Sequence, residues 1–498
     1  MQLNTITLTV KLQIRPLGDK EAQNEVWRNL RNINRDVFKA ANLLMSHLHF
    51  VEAFEHQFMQ TDRILEKEML DRENKKKNKK LNAQQIETIA QEIAEIKQKR
   101  KELKIEVAEK VKIFYNGKNE SFAYNFIRHE YPQIPSYSVS ILVKTVQNKF
   151  KEEWKEVKKG EKSISNFKKT IPIPIDDKQI ANTDKGKKLC YIKKEGEKFV
   201  WELNSLEAKF EIVTGKYKQS KYMGEDKNKR TTLERVMNFE YKVADSSLKI
   251  EENKIFLLLV CKIPQQQATS LPNVSIGVDL GIRTPACIAC NDGLRVISLG
   301  SKQDFLAIRQ RFYEHRKRLQ KSLAMTKGGK GREKKLKALE KLRKAERNWV
   351  RTYNHTLSKK IIHFAIQCRA SRIQIELLEG FGRNENKVDE KGNYLLGKWS
   401  YYELQNMIKQ KAEQYKLVVT TIDPYHTSKT CHVCGELGYR KGADFFCQNE
   451  RCKEYQKRQN ADHNAAFNIA KSTTFVAKKE DCTYFKLEQE KKSKKEEE

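Results

Sequence analysis

Four cysteines, Cys431, Cys434, Cys447 and Cys452, stand as two close pairs twelve residues apart in TCHVCGELGYRKGADFFCQNERC. That spacing forces the chain into a small ribbon around one tetrahedral zinc, because four thiolates complete the shell and pull both pairs to a point. A completed shell leaves no position for substrate, so this metal is structural. His432, inside the first pair, is surplus to it. Disulfides are the competing use of cysteine, and they belong to oxidising compartments. The opening MQLNTITLTVKLQIRPLGDK lacks the charged-then-apolar layout of a signal peptide, and no apolar run approaches eighteen residues. A cytoplasmic location is expected, where paired cysteines hold metal.

The charge narrows the partners. The 98 Lys and Arg against 65 Asp and Glu leave a formal +33 on 498 residues, an excess that a compact fold tolerates when a polyanion shares its surface. No basic segment carries an apolar face long enough to enter a bilayer, so the polyanion is nucleic acid. The length allows about three or four domains.

Residues 2–14 alternate, with Ile6, Leu8, Val10, Leu12 and Ile14 on one face, and predict a half-buried strand. Residues 22–45 switch to helical spacing along Val26, Leu30, Ile33, Val37 and Leu44. The same helix carries a basic stripe, Arg28, Arg31, Arg35 and Lys39, read as phosphate contacts. Residues 62–112 repeat Ile86, Ile89, Ile93, Ile96, Leu103 and Val107 at heptad-like spacing, interrupted by Arg100. A helical hairpin packed on its own domain is the ordinary reading and a partner-binding coil the sharper one. Another amphipathic helix follows from Ser136. From 168 to 265 the texture becomes short β-type runs (IPIPI, FVWEL, KFEIV, IFLLLVCKI), which predict a small β-barrel completed by the N-terminal strand, with the helices inserted in it.

The second half has another rhythm. VSIGVDLG is a buried strand, PACIACNDGLRVISLG a hairpin turned at Asn291-Asp292-Gly293, and 302–370 two long basic helices around TKGGKGREKK. RIQIELLEG, SYYELQNMIKQKAEQY, KLVVTTIDP and NADHNAAFNIAKS add strand, helix, strand and helix. With the cysteine insert left out, the order is β-β-β-α-β-α-β-α, that of a ribonuclease H-like α/β domain. The fold class is therefore multidomain α+β. TKGGKG lacks the preceding strand and full pattern of a phosphate loop. It is a joint between helices.

Three acids sit where that fold converges. Asp279 lies in an apolar strand, Glu376 ends RIQIE, and Asp462 lies in the first turn of the last helix. A lone charge in such a strand is costly, whereas three carboxylates at one sheet edge can hold two Mg²⁺ ions for phosphodiester hydrolysis. Glu379 is expected in a loop, Asp423 in a turn, and His463 at an exposed helix start. Cys287 and Cys290 form a second CxxC, but strand alternation points them to opposite faces, so they are core.

Taken together, IGVDLGIRTPA, IQIE, TSKTCHVCG with its second cysteine pair, and ADHNAAFNIA resemble the three split RuvC motifs and zinc insert of the type V CRISPR effectors and their transposon-encoded TnpB relatives. RNWVRTYNHTLSKKI and KWSYYELQNMI resemble the helices between them. The short chain is most similar to the miniature type V-F effectors. The resemblance implies a wedge β-barrel over 1–20 and 168–264, a helical recognition lobe over 21–167, a linker at 265–273, and a RuvC domain over 274–427 and 456–476. It also implies a zinc-ribbon nucleic-acid-binding insert over 428–455, with a charged tail from 477. By the same resemblance Asp279, Glu376 and Asp462 are nuclease acids, and the partners are a CRISPR RNA with tracrRNA, target DNA and a second copy of the chain on one guide. Two departures stand out: Leu377 follows Glu376 where relatives often carry Asp or Asn, and Ala461 precedes Asp462 where TnpB proteins carry Arg. The expected activity is guide-RNA-directed, Mg²⁺-dependent cutting of both DNA strands by one site. The rivals are a TnpB-type nuclease, a guided binder without cleavage, and a structure-selective nuclease without a guide.

Overall fold

The alternating N-terminal segment forms β1 (Thr5–Pro16), with Leu12 and Ile14 fully turned to the core. A computed structural model of the protein describes residues 5–76, 83–114, 120–183, 188–214, 227–281, 284–377, 401–478, 481–483 and 486. The chain divides near Pro264 into two compact units.

In the first unit, the helical spacing after β1 becomes one long helix, α1 (Lys20–Lys76), which buries Leu30, Ile33, Val37 and Leu44. Its far end packs antiparallel on α2 (Ala83–Phe114), whose Ile93, Ile96 and Val107 are buried in the seam of this hairpin. Arg100 does not interrupt that seam. It closes a bidentate pair with buried Asp62, Nε to Oδ1 at 2.7 Å and Nη2 to Oδ2 at 3.0 Å. Two ions leaving water together, each saturated by the other, cost far less than either alone. The helices α3 (Glu120–Glu130) and α4 (Ser136–Lys158) complete the bundle, with Val139, Leu142, Val143, Val146 and Phe150 as the buried stripe of α4.

The β-type runs then give β2 (Ile173–Ile175), the small ribbon of β3 (Ala181–Asn182) and β4 (Leu189–Cys190), and β5 (Ile192–Glu195), β6 (Lys198–Leu203) and β7 (Ala208–Val213). They are followed by α5 (Lys227–Met237), β8 (Lys242–Glu251) and β9 (Lys254–Pro264). The sheet order is β2-β8-β9-β1-β7-β6-β5. This corrects the closed barrel expected from sequence: the sheet is an open half-barrel with β1 in its middle. Its edges, only three and four residues long, pack against α4 and α5 instead of each other, which is how short edge strands are protected without closure.

The second unit is a five-stranded sheet, β12-β11-β10-β13-β14. Its strands are β10 (Leu271–Asp279), β11 (Ala286–Cys290), β12 (Val296–Leu299), β13 (Ala370–Glu376) and β14 (Val418–Ile422). The first three pair antiparallel, and β10, β13 and β14 run parallel. Between β12 and β13 come α6 (Lys302–Ala324) and α7 (Gly329–Gln367), joined where the sequence places its glycine-rich joint, and α8 (Tyr401–Gln414) precedes β14. One sheet face is a core of Ile276, Val278, Ile288, Ile373 and Ile375 under α7 and α8. The other face receives a last helix, α9 (Ala461–Lys471), on Cys287 and Ala289. Cys290 lies in the first core and Cys287 in the second, so that CxxC is split across the sheet as its spacing requires.

Three contacts cross the divisions expected from sequence. The segment 265–273 is not a free linker: Gln266 N–H donates to Gln414 O at 2.8 Å, and β10 already begins at Leu271. The ribbon of β15 (Gly438–Lys441) and β16 (Asp444–Cys447) gains a third strand, β17 (Gln459–Asn460), beyond 455. The tail is not wholly solvated, because Thr483 donates to Asp423 Oδ2 from both its backbone N–H (2.8 Å) and its hydroxyl (2.5 Å), and Cys482 is buried beside them. Glu379 and the end of the tail lie outside the described residues. Among the described residues no helix is long and apolar enough to cross a membrane.

Candidate active site and zinc ribbon

Strand parity sets the acids. Ile276, Val278, Ile373 and Ile375 face α7 and α8, so Gly277, Asp279, Gln374 and Glu376 face the opposite way, under α9. Val278 pairs with Ile375 in the parallel ladder, which sets Asp279 beside Glu376 at the strand ends. The helix reaches them because Gly277 has no side chain. A Cβ there would lie 2.2 Å from Ala466 O and 2.2 Å from Ala470 N. The Ser275 hydroxyl donates to Ala470 O at 2.7 Å and fixes the same contact. Asn460 caps α9, its Oδ1 accepting from the N–H groups of Asp462 (2.9 Å) and His463 (3.0 Å). Asp462, in the first turn, thereby turns its carboxylate towards Asp279.

The electrostatics record this convergence. Burial pushes the Asp279 carboxyl well above its usual range, and Glu376 and then Asp462 push it further, while Arg440 opposes them. Burial likewise raises Glu376 to about 7 against the pull of the Thr427 hydrogen bond and Arg440. Carboxylates forced together resist joint ionisation, and an oxygen-seeking divalent cation relieves that repulsion. The three carboxylates do not all close to within 4.8 Å of one another.

Three further groups in the site were not singled out in the sequence. Arg440, on β15 of the ribbon, brings its Nη2 to 3.4 Å from Asp462 Oδ1. The Thr427 hydroxyl donates to Glu376 Oε1 at 2.5 Å, and Gln405 Nε2 donates to the Glu376 carbonyl at 2.9 Å. His463, expected as an exposed helix start, is half-buried with Nε2 3.0 Å from Ser298 Oγ. Asp423 is a turn residue, accepting from Tyr425 N–H and Thr483.

The four cysteines gather at the base of the ribbon, all sulfurs within 4.8 Å of one another. Cys431 and Cys452 Sγ are 4.0 Å apart, Cys434 and Cys447 Sγ 3.6 Å. Zn–S bonds of about 2.3 Å give a tetrahedron with edges of about 3.8 Å, so the cluster fits zinc. Although burial opposes it, the Glu436 N–H and the neighbouring sulfurs draw the Cys434 thiol down to about 7. His432 stacks on Phe467 at 4.8 Å and is not part of the sulfur cluster. It helps bind the ribbon to α9: its N–H donates to Asn464 Oδ1 at 2.9 Å and its carbonyl accepts from Lys471 Nζ at 3.0 Å. Asn468 Nδ2 donates to the Thr427 and Thr430 carbonyls at 2.8 and 2.7 Å. One face of the helix that carries Asp462 therefore holds the ribbon stem that carries Thr427.

In the first unit, Arg28, Arg31, Arg35 and Lys39 are all exposed along α1. Arg31 stacks over Trp27 at 5.2 Å and donates to Asn253 Oδ1 at 3.3 Å, and Arg35 reaches Asp36 at 3.4 Å.

Comparison with known proteins bears on both units. Residues 401–469 match the family model described as Cas12f1-like, TNB domain. A protein of Sulfoacidibacillus thermotolerans named CRISPR-associated endodeoxyribonuclease Cas12f1 is 28% identical over 361 residues, 70% of this chain and 80% of that one. A namesake from Syntrophomonas palmitatica is 25% identical over 400 residues, 71% and 76% of the two chains. A TnpB-like protein of Methanocaldococcus jannaschii is 32% identical over 129 residues, 26% of this chain and 44% of that one. The fold is that of the protein in a cryo-EM structure of a Cas12f1-sgRNA-target DNA complex, with TM-score 0.59 and 18% identity over 94% of this chain and 99% of that one. By sequence the chain is thus similar to proteins named Cas12f1 over about 70% of its length, and over a shorter stretch to TnpB-like proteins.

Proposed function

We propose that the protein is a guide-RNA-directed DNA endonuclease of CRISPR immunity, with one RuvC-type site built from Asp279, Glu376 and Asp462. The observation that carries the reading is the convergence of these three carboxylates from β10, β13 and α9 in a homologue of proteins named as endodeoxyribonucleases. Two Mg²⁺ ions held by the acids would supply Lewis-acid stabilisation of the attacking and leaving oxygens. The protein's own groups do the rest. Thr427 and Gln405 hold Glu376 from its side chain and its backbone, Asn460 fixes Asp462 at the helix start, and Arg440 places a guanidinium where phosphorane charge develops. The zinc ribbon is then a positioning element that delivers Arg440 and Thr427, with its metal held by Cys431, Cys434, Cys447 and Cys452.

In this reading, residues 274–427 and 456–476 are the nuclease domain and 428–455 its target-binding insert. The half-barrel of 1–20 and 168–264 is the wedge, the helices of 21–167 are the recognition lobe, and Arg28, Arg31, Arg35 and Lys39 contact phosphates. Two copies share one guide RNA in the prokaryotic cytoplasm, and the single site cuts both DNA strands in turn. A chain with +33 formal charge and no base-reading motif suits a division of labour in which base pairing selects the sequence. The TnpB-like relatives favour a second reading, a transposon nuclease guided by RNA from the element's end.

Expression with the native flanking DNA, followed by sequencing of the co-purified RNA, tests both. A repeat-and-spacer RNA is the expected result. A transcript overlapping a transposon end establishes the second reading, and the absence of any discrete RNA contradicts guidance.

A further inference from the structure

The α6–α7 hairpin and the start of α8 enclose a cavity of about 580 Å³ lined by Arg309, Arg316, Arg343, Arg347, Glu346 and Glu403. Its floor is charged and buried. Arg309 is 1% exposed and Glu346 6%, an expensive arrangement for an ordinary helix seam. Glu346 serves two guanidiniums at once: Arg316 Nη2 donates to its Oε2 at 2.6 Å, and Arg309 Nε lies 3.6 Å from its Oε1. One carboxylate orients two cations. Arg343 and Arg347 are one turn apart at the rim, both exposed, and among the described residues neither forms an ion pair. Glu403 is shared with Arg351 at 3.8 Å. Planar guanidinium forks lining a concave site match phosphate oxygens.

Its position gives the ligand. The first turns of α8 join the cavity to the acids: Glu403 lines the cavity, and Gln405, two residues on, donates to the Glu376 carbonyl at 2.9 Å. We propose that this cavity is a backbone-phosphate subsite for the single DNA strand being cut, with Arg343 and Arg347 as the phosphate-contacting residues and the Arg309–Glu346–Arg316 network as their support. The inference rests on the proposed nuclease reading and adds to it a substrate track leading to the three acids. Arg343 and Arg347 are positioning residues: they hold the strand and do not touch the reacting atoms.

The test compares the guide-loaded full-length protein with an R343A/R347A double variant on a target pre-opened as a bubble, at several salt concentrations. The KM is expected to rise about tenfold with kcat within about twofold. Loss of two single-strand phosphate contacts lowers the salt slope of log KM by about 1.4, and lysine at both positions restores most of it. Unchanged KM and salt slope overturn the subsite. Loss of guide RNA from the variant also overturns it, by assigning the cavity to RNA. Because both positions are exposed, misfolding is checked by an unchanged melting temperature. If the parent does not cut DNA, the nuclease reading fails instead, and anisotropy of a labelled single strand on the two proteins decides the cavity by itself.

Discussion

Arg440 Nη2 stands 3.4 Å from Asp462 Oδ1, although one residue belongs to a cysteine-held ribbon and the other to a helix packed on the central sheet. The ribbon and the helix that carries Asp462 are thus joined at this contact. Replacing Arg440 with alanine removes the cation that opposes the crowding of Asp279 and Glu376. We expect cleavage to fall by about 10²-fold or more, the scale for losing one group that stabilises transition-state charge. Guide and zinc content, measured on the same preparation, are expected to stay at parental levels.

Disrupting the cysteine cluster reaches the same acids from further away. One zinc per chain is expected by elemental analysis. Cys434→Ser is expected to lower that content and to reduce cleavage at least as much as Arg440→Ala, since Arg440 and Thr427 both depend on the ribbon. Full activity in a zinc-free protein contradicts the positioning role.

Gly277→Ala probes how Asp462 reaches Asp279. The added methyl meets backbone at 2.2 Å, where no side-chain rotation gives relief. A cost at or above the about 1–3 kcal/mol of ordinary overpacking is expected. Thermal unfolding and cleavage together report it, and a variant with unchanged stability refutes the close contact.

Much of this assembly was legible in the sequence, because it is written in short periods. Alternation in VSIGVDLG and RIQIE determines which side each acid faces, and cysteine spacing reports its own geometry. Arg440 was not legible: it is a basic residue in a polar ribbon strand, 22 positions from Asp462, and only the fold joins them. Thr427 and Asn468 are ordinary turn and helix residues until the stem and helix are docked. The pairing of Arg100 is invisible in the heptad-like spacing because its partner, Asp62, lies 38 positions away on the other arm of the hairpin. Strand count and turns do not reveal whether the edges of a sheet meet, which is why the half-barrel reads as a barrel in the sequence.

That Asp62–Arg100 pair makes a separate prediction for the first unit. The Arg100 hydrogen bond holds the Asp62 carboxyl below its usual range. Its contribution is therefore complete above the unfolded value, near pH 4, and is lost as the pH falls through the lower folded value. Arg100→Leu leaves the buried acid with only the exposed Lys104, 3.9 Å from its Oδ2, and is expected to cost up to about 3 kcal/mol, the low end for a broken buried pair. The double replacement Asp62→Leu/Arg100→Leu is expected to recover most of it. Denaturant unfolding of the three variants at neutral and acid pH checks both statements.

The central claim is that Asp279, Glu376 and Asp462 do the chemistry while the rest of the chain selects and holds nucleic acid. It is tested most directly by measuring cleavage and target binding side by side for Asp279→Ala loaded with the co-purified guide. The account predicts a loss of cutting of about 10³-fold or more, roughly 4 kcal/mol of barrier, with guide retention and target affinity within a few-fold of the parent. Mg²⁺-dependent cutting that persists in this variant would contradict it.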